Sequence, residues 1–187
     1  MSGLNDEMLK DSEVIRAMRK NIEEYHRAVK SLFDQESSEW FPNNNEEHDA
    51  AITEEILLHA KKEIKIFCTC LKHDVWNNQG VINAFINAIC RGVKFQIITQ
   101  QNIDEGTELK WIINKAISNK ELSSEISVYE NIGEHLPYNF IVADRKMFRF
   151  EGNANKRQAV ACANCPDIAI QLEERFDQIF SKNGDNI

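Results

Sequence analysis

Five cysteines and a nearby histidine are the residues that most directly suggest metal chemistry. A Cys-x-Cys pair within a strand would point both sulfurs to one face, whereas structural zinc sites usually use Cys-x2-Cys knuckles that wrap the ion. An odd number of cysteines in a chain that opens without a basic export signal also disfavours a disulfide framework. We therefore expect buried, reduced thiols and neither a metal nor another cofactor. The residues are Cys68, Cys70, Cys90, Cys162 and Cys165, with His73 close to the first pair.

A second pattern lies in residues 138–155, where two apolar runs flank a polar turn and predict a β-hairpin. The stretch resembles the active-site segment of the phospholipase D-like superfamily, whose pattern is H-x-K-x4-D-x6-G-S-x-N on a strand, a turn and a strand. Asp144 matches the Asp of this pattern, and Gly152 and Asn155 match its last Gly and Asn. Asn153 takes the Ser position, in a hairpin one residue longer than the pattern.

The two catalytic positions of that pattern hold other residues. Counting back from Asp144 places Pro137 at the position of the nucleophilic His and Asn139 at that of the phosphate-binding Lys. In the family the His forms a covalent phosphoenzyme intermediate and the Lys neutralises phosphate charge, but proline has no nucleophile and an amide has no positive charge. The resemblance covers about residues 46–181. It implies a phospholipase D-like fold with a degenerate, catalytically inactive motif.

The alternative is an enzyme with a non-standard catalytic set. His135 lies two residues before the expected His, and a strand slip of two residues would preserve the direction in which its side chain faces. With His135 and Asp144 as catalytic candidates, the resemblance implies a phosphodiesterase or nuclease. Active members of the family use two motifs, so such an enzyme would be a homodimer. We favour a solvated loop histidine, because only its proximity to the motif favours a catalytic role.

Positive charge is concentrated in and after the hairpin, on a chain of formal charge −8. We predict that this basic cluster accommodates an anionic partner, either a nucleic acid or a phosphate ligand, and a solvated hairpin face is the alternative. The cluster consists of Arg145, Lys146, Arg149, Lys156 and Arg157. The predicted ligand-binding residues, taken from the motif and the cluster, are Tyr138, Asn139, Asp144, Asn153, Asn155, Lys146 and Arg149.

The elements that must position these residues alternate between helix and strand. This order predicts an α/β sandwich with a mixed sheet, in which parallel strands come first, an antiparallel hairpin comes last, and helices lie on both faces. Hydrophobic periodicity predicts helices over about 46–62, 81–91 and 105–118 and from Pro166 onward, and strands over 64–70, 93–99, 126–129, 140–143, 147–150 and 158–163.

Residues 12–34 precede this body and carry one apolar stripe at helical spacing. The stripe is short for a free-standing coiled coil, so we predict that the helix docks onto the body, and a seam with a second copy or a partner protein is the alternative. Turn-rich residues 35–45 divide the chain into an extension with its linker, 1–45, and a phospholipase D-like domain, 46–187. The stripe consists of Ile15, Met18, Ile22, Tyr25, Val29 and Leu32.

The composition limits the classes of function. With 42% hydrophobic and 28% charged residues, the chain should form a packed domain, and no apolar run approaches the roughly 20 residues of a membrane helix. The acidic N-terminus differs from the basic start of a signal peptide, so we expect a cytoplasmic protein without membrane insertion. A pI near 5.2 argues against a protein that coats DNA through bulk charge. We therefore predict an inactive binding, sensor or protein-docking module.

Overall fold

The computed structural model describes residues 21–71, 73–122, 125–130, 132–133, 135–154 and 158–184, and it has the predicted α/β class. None of the helices in these residues is long and apolar enough to cross a membrane. The elements are, in order, α1 (Ile22–Asp34), β1 (Phe41–Asn43), α2 (Glu46–His59), β2 (Glu63–Cys68), α3 (His73–Trp76), α4 (Gln79–Cys90), β3 (Lys94–Thr99), α5 (Glu108–Ser118), β4 (Ile126–Tyr129), β5 (Asn139–Ala143), β6 (Met147–Asn153), β7 (Gln158–Cys162) and α6 (Pro166–Gly184).

The strands form one mixed sheet of seven strands in the order β1-β7-β6-β5-β2-β3-β4. β2, β3 and β4 are parallel, whereas β5, β6, β7 and β1 pair antiparallel, as do β2 and β5. Parallel neighbours need a crossover, which α3 and α4 supply between β2 and β3 and α5 supplies between β3 and β4. The predicted order of parallel strands followed by an antiparallel hairpin is confirmed.

Side chains alternate between two sheet faces, and helices cover both faces as predicted. We call face A the side covered by α1, α2, α3, α4 and α5, whose sheet residues include Ile66, Ile97 and Ile141. Face B is the side covered by α6, whose sheet residues include Phe67 and Phe140. The two faces therefore carry separate hydrophobic cores.

Polar caps set the start of several helices. The side chain of Asn45 accepts a hydrogen bond from the N–H of His48 at the start of α2, and Thr107 accepts one from Lys110 at the start of α5. α4 ends as predicted before Gly92, whose positive φ of 77° is a conformation that glycine adopts without steric cost. These local signals explain why sequence patterns located most elements.

The N-terminal helix is shorter than predicted. Asn21 is extended and its side chain accepts a hydrogen bond from the N–H of Glu24, so α1 begins at Ile22 and the prediction of one helix continuing through Asn21 is wrong. Ile15 and Met18 lie outside the described residues.

The described part of the apolar stripe docks onto the body, as predicted. Tyr25, Val29 and Phe33 are buried in the core of face A, and the hydroxyl of Tyr25 donates to the carbonyl oxygen of Pro42 at 3.0 Å. β1, which lies within the predicted linker, pairs with β7 as an edge strand. The domain boundary at residue 45 stays a prediction, but α1 and β1, which precede it, share the core and the sheet.

Candidate functional site

The motif hairpin consists of β5 and β6, whose register places Asn139 opposite Glu151 and Ile141 opposite Arg149. These side chains point to face A, whereas Phe148 and its neighbours on alternate positions point to face B. Both sides of β6 therefore pack against helices.

Asn139, at the position of the family's Lys, is buried with 6% of its surface exposed. Its Oδ1 accepts hydrogen bonds from the N–H of Thr69 (2.8 Å) and the hydroxyl of Thr69 (3.2 Å). Its Nδ2 donates to Oε2 of the buried Glu151 at 2.7 Å. The amide is therefore used to join the end of β2 to the hairpin, and the charge next to it is a carboxylate rather than a cation.

A small cavity adjoins Asn139 on face A. It holds about 30 Å³, and because a water molecule needs about 10–15 Å³ on this measure, the space suits one or two waters but not a phosphate ester. The buried indole of Trp76, from the short helix α3, forms part of its wall. Its polar lining comes from Asp49, Asn139, Arg149 and Glu151.

Arg149 lies in the interior and not on the hairpin surface. Only 4% of the residue is exposed, and its Nε is 2.8 Å from Oδ1 of Asp49 on α2. In this position the guanidinium offsets a carboxylate of the same chain and holds α2 against the sheet. The predicted ligand role of Arg149 requires a surface location, but the structure places this residue in the interior.

Asp144, at the hairpin turn, is held by hydrogen bonds from the backbone of another segment. Its backbone is left-handed, with φ of 52°, a conformation that Asp tolerates better than most residues. Its carboxylate accepts hydrogen bonds of 2.7–3.0 Å from the N–H groups of residues 61–63, just before and at the start of β2. At about 3.3 Å per residue, Asp144 is about 16 Å along the strand from Asn139. The two motif residues do not converge on one cleft.

The other described cations of the basic cluster are paired within the chain. Lys146 Nζ lies 2.8 Å from Oε1 of Glu36, and its hydrogen bond lowers the pKa of that carboxyl. Arg145 lies 3.1 Å from Oε2 of Glu173 on α6. Lys156 and Arg157 lie outside the described residues. Three of the five predicted cations therefore already have carboxylate partners.

The remaining predicted residues are distributed over the edge where β5 begins and β6 ends. Tyr138 points to face B, where its hydroxyl oxygen accepts a hydrogen bond of 2.8 Å from Nε of Arg175. His135 is exposed in the loop before β5, and Asn153 pairs with Gln158 at the end of β6. Asn155 lies outside the described residues.

Sequence reasoning missed several polar residues around Asn139. Glu151 could have been found, because the predicted turn places it opposite Asn139 in the hairpin register. Thr69 and Asp49 gave no such signal, since their contacts with the hairpin are non-local. Gln100 is also buried. Its Nε2 donates to the carbonyl oxygen of Leu136 and its Oε1 accepts from the N–H of Leu136, so its side chain anchors the loop before β5.

The five cysteines form no disulfide bond. Cys68 and Cys162 are buried, and burial raises the pKa of the Cys162 thiol to about 11. Cys70 and Cys165 are half-buried, and Cys90 is exposed on the outer side of α4, so the expectation of buried thiols is wrong at these three positions. In the part of the chain that the structure describes, no group of His, Cys, Asp and Glu residues is arranged to hold a metal ion.

Structural comparison identifies the fold. No protein-family model and no curated protein matches the chain. Among solved structures, NucT from Helicobacter pylori, a phospholipase D family member, has a TM-score of 0.51 at 13% identity, covering 76% of this chain and 94% of NucT. The fold is phospholipase D-like.

Two further solved structures are similar to this chain. TrmBL2, an archaeal chromatin protein described as having a novel mode of DNA binding, has a TM-score of 0.57 at 17% identity, over 90% of this chain. The chain spans 62% of the TrmBL2 chain. Nuc, a phospholipase D family member from Salmonella typhimurium, has a TM-score of 0.48 at 16% identity, covering 76% of this chain and 92% of Nuc.

Proposed function

We propose that this chain is a catalytically inactive phospholipase D-like domain that serves as a docking module for a protein partner. The observation that carries the proposal is the state of the two catalytic positions. Pro137 offers no nucleophile, and Asn139 is engaged by three hydrogen bonds to Thr69 and Glu151. A phosphoryl group at this position would meet the buried Glu151 carboxylate, and the Arg149 guanidinium that lines the same cavity is paired with Asp49.

The electrostatics support a protein partner over a bare anion. The described hairpin cations are paired with carboxylates, and the cavity beside Asn139 is too small for a phosphate ester. The chain also carries a formal charge of −8, which repels a polyanion over most of its surface.

Face B supports a docking surface. Its single helix leaves several apolar and aromatic side chains only partly buried, and apolar side chains that keep some exposed surface are candidates for contact with a partner. The partly exposed residues of face B, which we call the face B rim, include Trp40, Tyr129, Ile132, Leu136, Tyr138, Phe150, Val160, Ile168 and Phe180.

The similarity to TrmBL2 extends the proposal to a setting near nucleic acid. That protein is described as a chromatin protein with a novel mode of DNA binding. For this acidic chain we propose that any such association runs through a protein partner docked on the face B rim, and not through direct contact with phosphates.

The inactivity is tested with bis(p-nitrophenyl) phosphate and a labelled single-stranded oligonucleotide, in the presence of EDTA. We expect no hydrolysis above the rate without protein, for both the wild type and a His135→Ala variant of unchanged circular dichroism. Metal-independent cleavage by the wild type that disappears in His135→Ala would contradict the proposal and favour the homodimeric phosphodiesterase.

The docking surface is tested by quantitative affinity capture from a lysate of the source cells. The bait is the wild type, Phe150→Lys on the face B rim, or Trp111→Lys, a matched control on the outer side of α5, where Trp111 is 61% exposed. We expect a partner that is lost with Phe150→Lys and retained with Trp111→Lys. Equal capture of the partner by all three baits would contradict the assignment to face B. Salt-sensitive binding of an oligonucleotide that Lys146→Glu abolishes would favour the anion-binding function instead.

A further inference from the structure

The contact between α1 and α2 contains a charge cluster that the proposed function does not use. Two histidines and three carboxylates meet there, on a chain that has five histidines in total. We propose that this cluster is a proton-dependent clamp, in which the imidazolium of His26 holds α1 on the domain and releases part of that hold when it loses its proton. The cluster consists of His26 and Asp34 on α1 and Glu54, Glu55 and His59 on α2.

Glu55 lies at the centre of the clamp and is 2% exposed. Its Oε1 is 3.5 Å from Nε2 of His26, across the helix contact, and its Oε2 is 3.4 Å from Nδ1 of His59. A buried carboxylate is costly unless positive charge lies beside it. The imidazole of His26, which comes from α1, is placed to supply that charge.

His59 links the end of α1 to α2 from the other side of Glu55. Its Nδ1 is 2.9 Å from the backbone oxygen of Glu55, and its Nε2 is 3.2 Å from Oδ1 of Asp34, the last residue of α1. The ring of His59 therefore lies between an acceptor on each of the two helices.

His26 links the middle of α1 to the same carboxylates. Its Nε2 lies 3.5 Å from Glu55 and 3.6 Å from Glu54, and the hydrogen bond with Glu55 raises the pKa of His26 against the opposing effect of burial. Lys30 on its own helix acts in the opposite direction, but Lys30 is itself paired with Asp34 at 2.8 Å. With His26 neutral, Glu54 and Glu55 would lose the imidazolium that lies 3.5–3.6 Å from their carboxylates.

Other charged groups of α1 also face the cluster. Glu23, Arg27 and Lys30 line the same pocket as His26, Glu54 and Glu55, and Lys30 is paired with Asp34. On the other side, Glu54 packs against Gly80 at the start of α4, and the carboxylate of Glu36 near His59 is paired with Lys146. The change of charge at this contact near neutral pH therefore comes from His26.

The direction of the pH effect follows from linkage. The pKa of His26 is raised in the folded state, so its contribution is fully present below the unfolded value of about 6.5 and is lost as the pH rises through the folded pKa. Because α1 also buries Tyr25, Val29 and Phe33, deprotonation loosens the helix without unfolding the domain. The clamp thus makes the hold on α1 weaker in mildly alkaline than in mildly acidic solution.

The test is amide hydrogen exchange of the full chain between pH 5.5 and 8.5, corrected for intrinsic exchange rates. We expect the protection of α1 to fall as the pH rises, by about tenfold for each unit by which folding raises a histidine pKa, with protection of α6 unchanged. A His26→Gln, His59→Gln double variant should lose this dependence. Lys30→Gln, which removes an exposed ion pair, should retain it. Equal pH dependence in the wild type and the double variant would overturn the proposal.

A second measurement covers the case in which the double variant does not fold. Ring resonances of His26 in the wild type, followed by NMR through the same pH range, report its pKa directly. We expect this pKa to lie above the unfolded value of about 6.5. A value at or below the unfolded reference would refute the clamp.

Discussion

The two faces of the sheet are covered to very different extents. Among the described residues, face A packs against α1, α2, α3, α4 and α5, whereas face B packs against α6 alone. Seven strands at about 4.8 Å spacing give a sheet of about 29 Å, and one helix with its side chains covers roughly 10 Å of it. A single helix therefore cannot seal face B, which leaves apolar side chains at the surface of that face.

The two faces also differ in the kind of side chain that stays partly exposed. The partly exposed side chains of the face B rim include five aromatic residues, whereas those packed against the face A core, within the described ranges, are aliphatic. α6 is also attached through charge, since the buried Lys65 donates to Glu173 at 3.2 Å and to Asp177 at 2.8 Å. Face A therefore provides stability, whereas face B combines stability with partly exposed aromatic surface.

The largest expected effect is the loss of a sealed aromatic on face A. Phe85 is 0% exposed and packs on Phe95 with ring centroids 4.6 Å apart. Phe85→Ala should lower the free energy of unfolding by about 3–5 kcal/mol in urea denaturation, because it removes apolar contacts and leaves a cavity. The neighbouring Ile86 is 40% exposed, so Ile86→Ala should change stability by about 0.5 kcal/mol or less. Similar losses for both variants would show that face A is not sealed at α4.

A somewhat smaller effect is expected where charge holds α6 on face B. Burial disfavours the charged form of Lys65, but its hydrogen bonds to Asp177 and Glu173 outweigh this and raise the pKa of Lys65. Lys65→Ala should cost about 3 kcal/mol, since it leaves the buried Glu173 with Arg145 as its remaining cation. Asp177→Asn, at a half-exposed partner, should cost about 1 kcal/mol or less. A negligible loss with Lys65→Ala would mean that apolar packing alone positions α6.

The smallest expected effect is on the face B rim. Phe150 is partly exposed, so Phe150→Ala should cost about 1 kcal/mol, and it should reduce the fluorescence of a bound apolar dye such as ANS because it removes exposed aromatic surface. Phe148, two residues earlier on the same face, is fully buried and provides the matched control: Phe148→Ala should cost about 3–5 kcal/mol. Equal losses at the two positions would contradict the openness of face B.

Local patterns in the chain determined much of the fold. The hairpin register that sets Asn139 opposite Glu151, the alternation along β6 and the start of α6 at Pro166 follow from turn position, period-two patterning and proline geometry. The presence of Pro137 and Asn139 where the resemblance would place His and Lys is likewise readable without a structure. These features depend on residues close together in the chain.

Only the tertiary structure decided how the polar residues of the hairpin are used. Arg149 is buried because Asp49 reaches it from a distant helix, and Asp144 accepts hydrogen bonds from the backbone just before and at the start of β2. Alternation along a strand separates two sides but does not reveal that both are covered, since the covering helices come from elsewhere in the chain. The difference between face A and face B therefore arises from the number of helices that pack on each side of the sheet. This number depends on the topology of the whole chain and cannot be predicted from a short segment of the sequence.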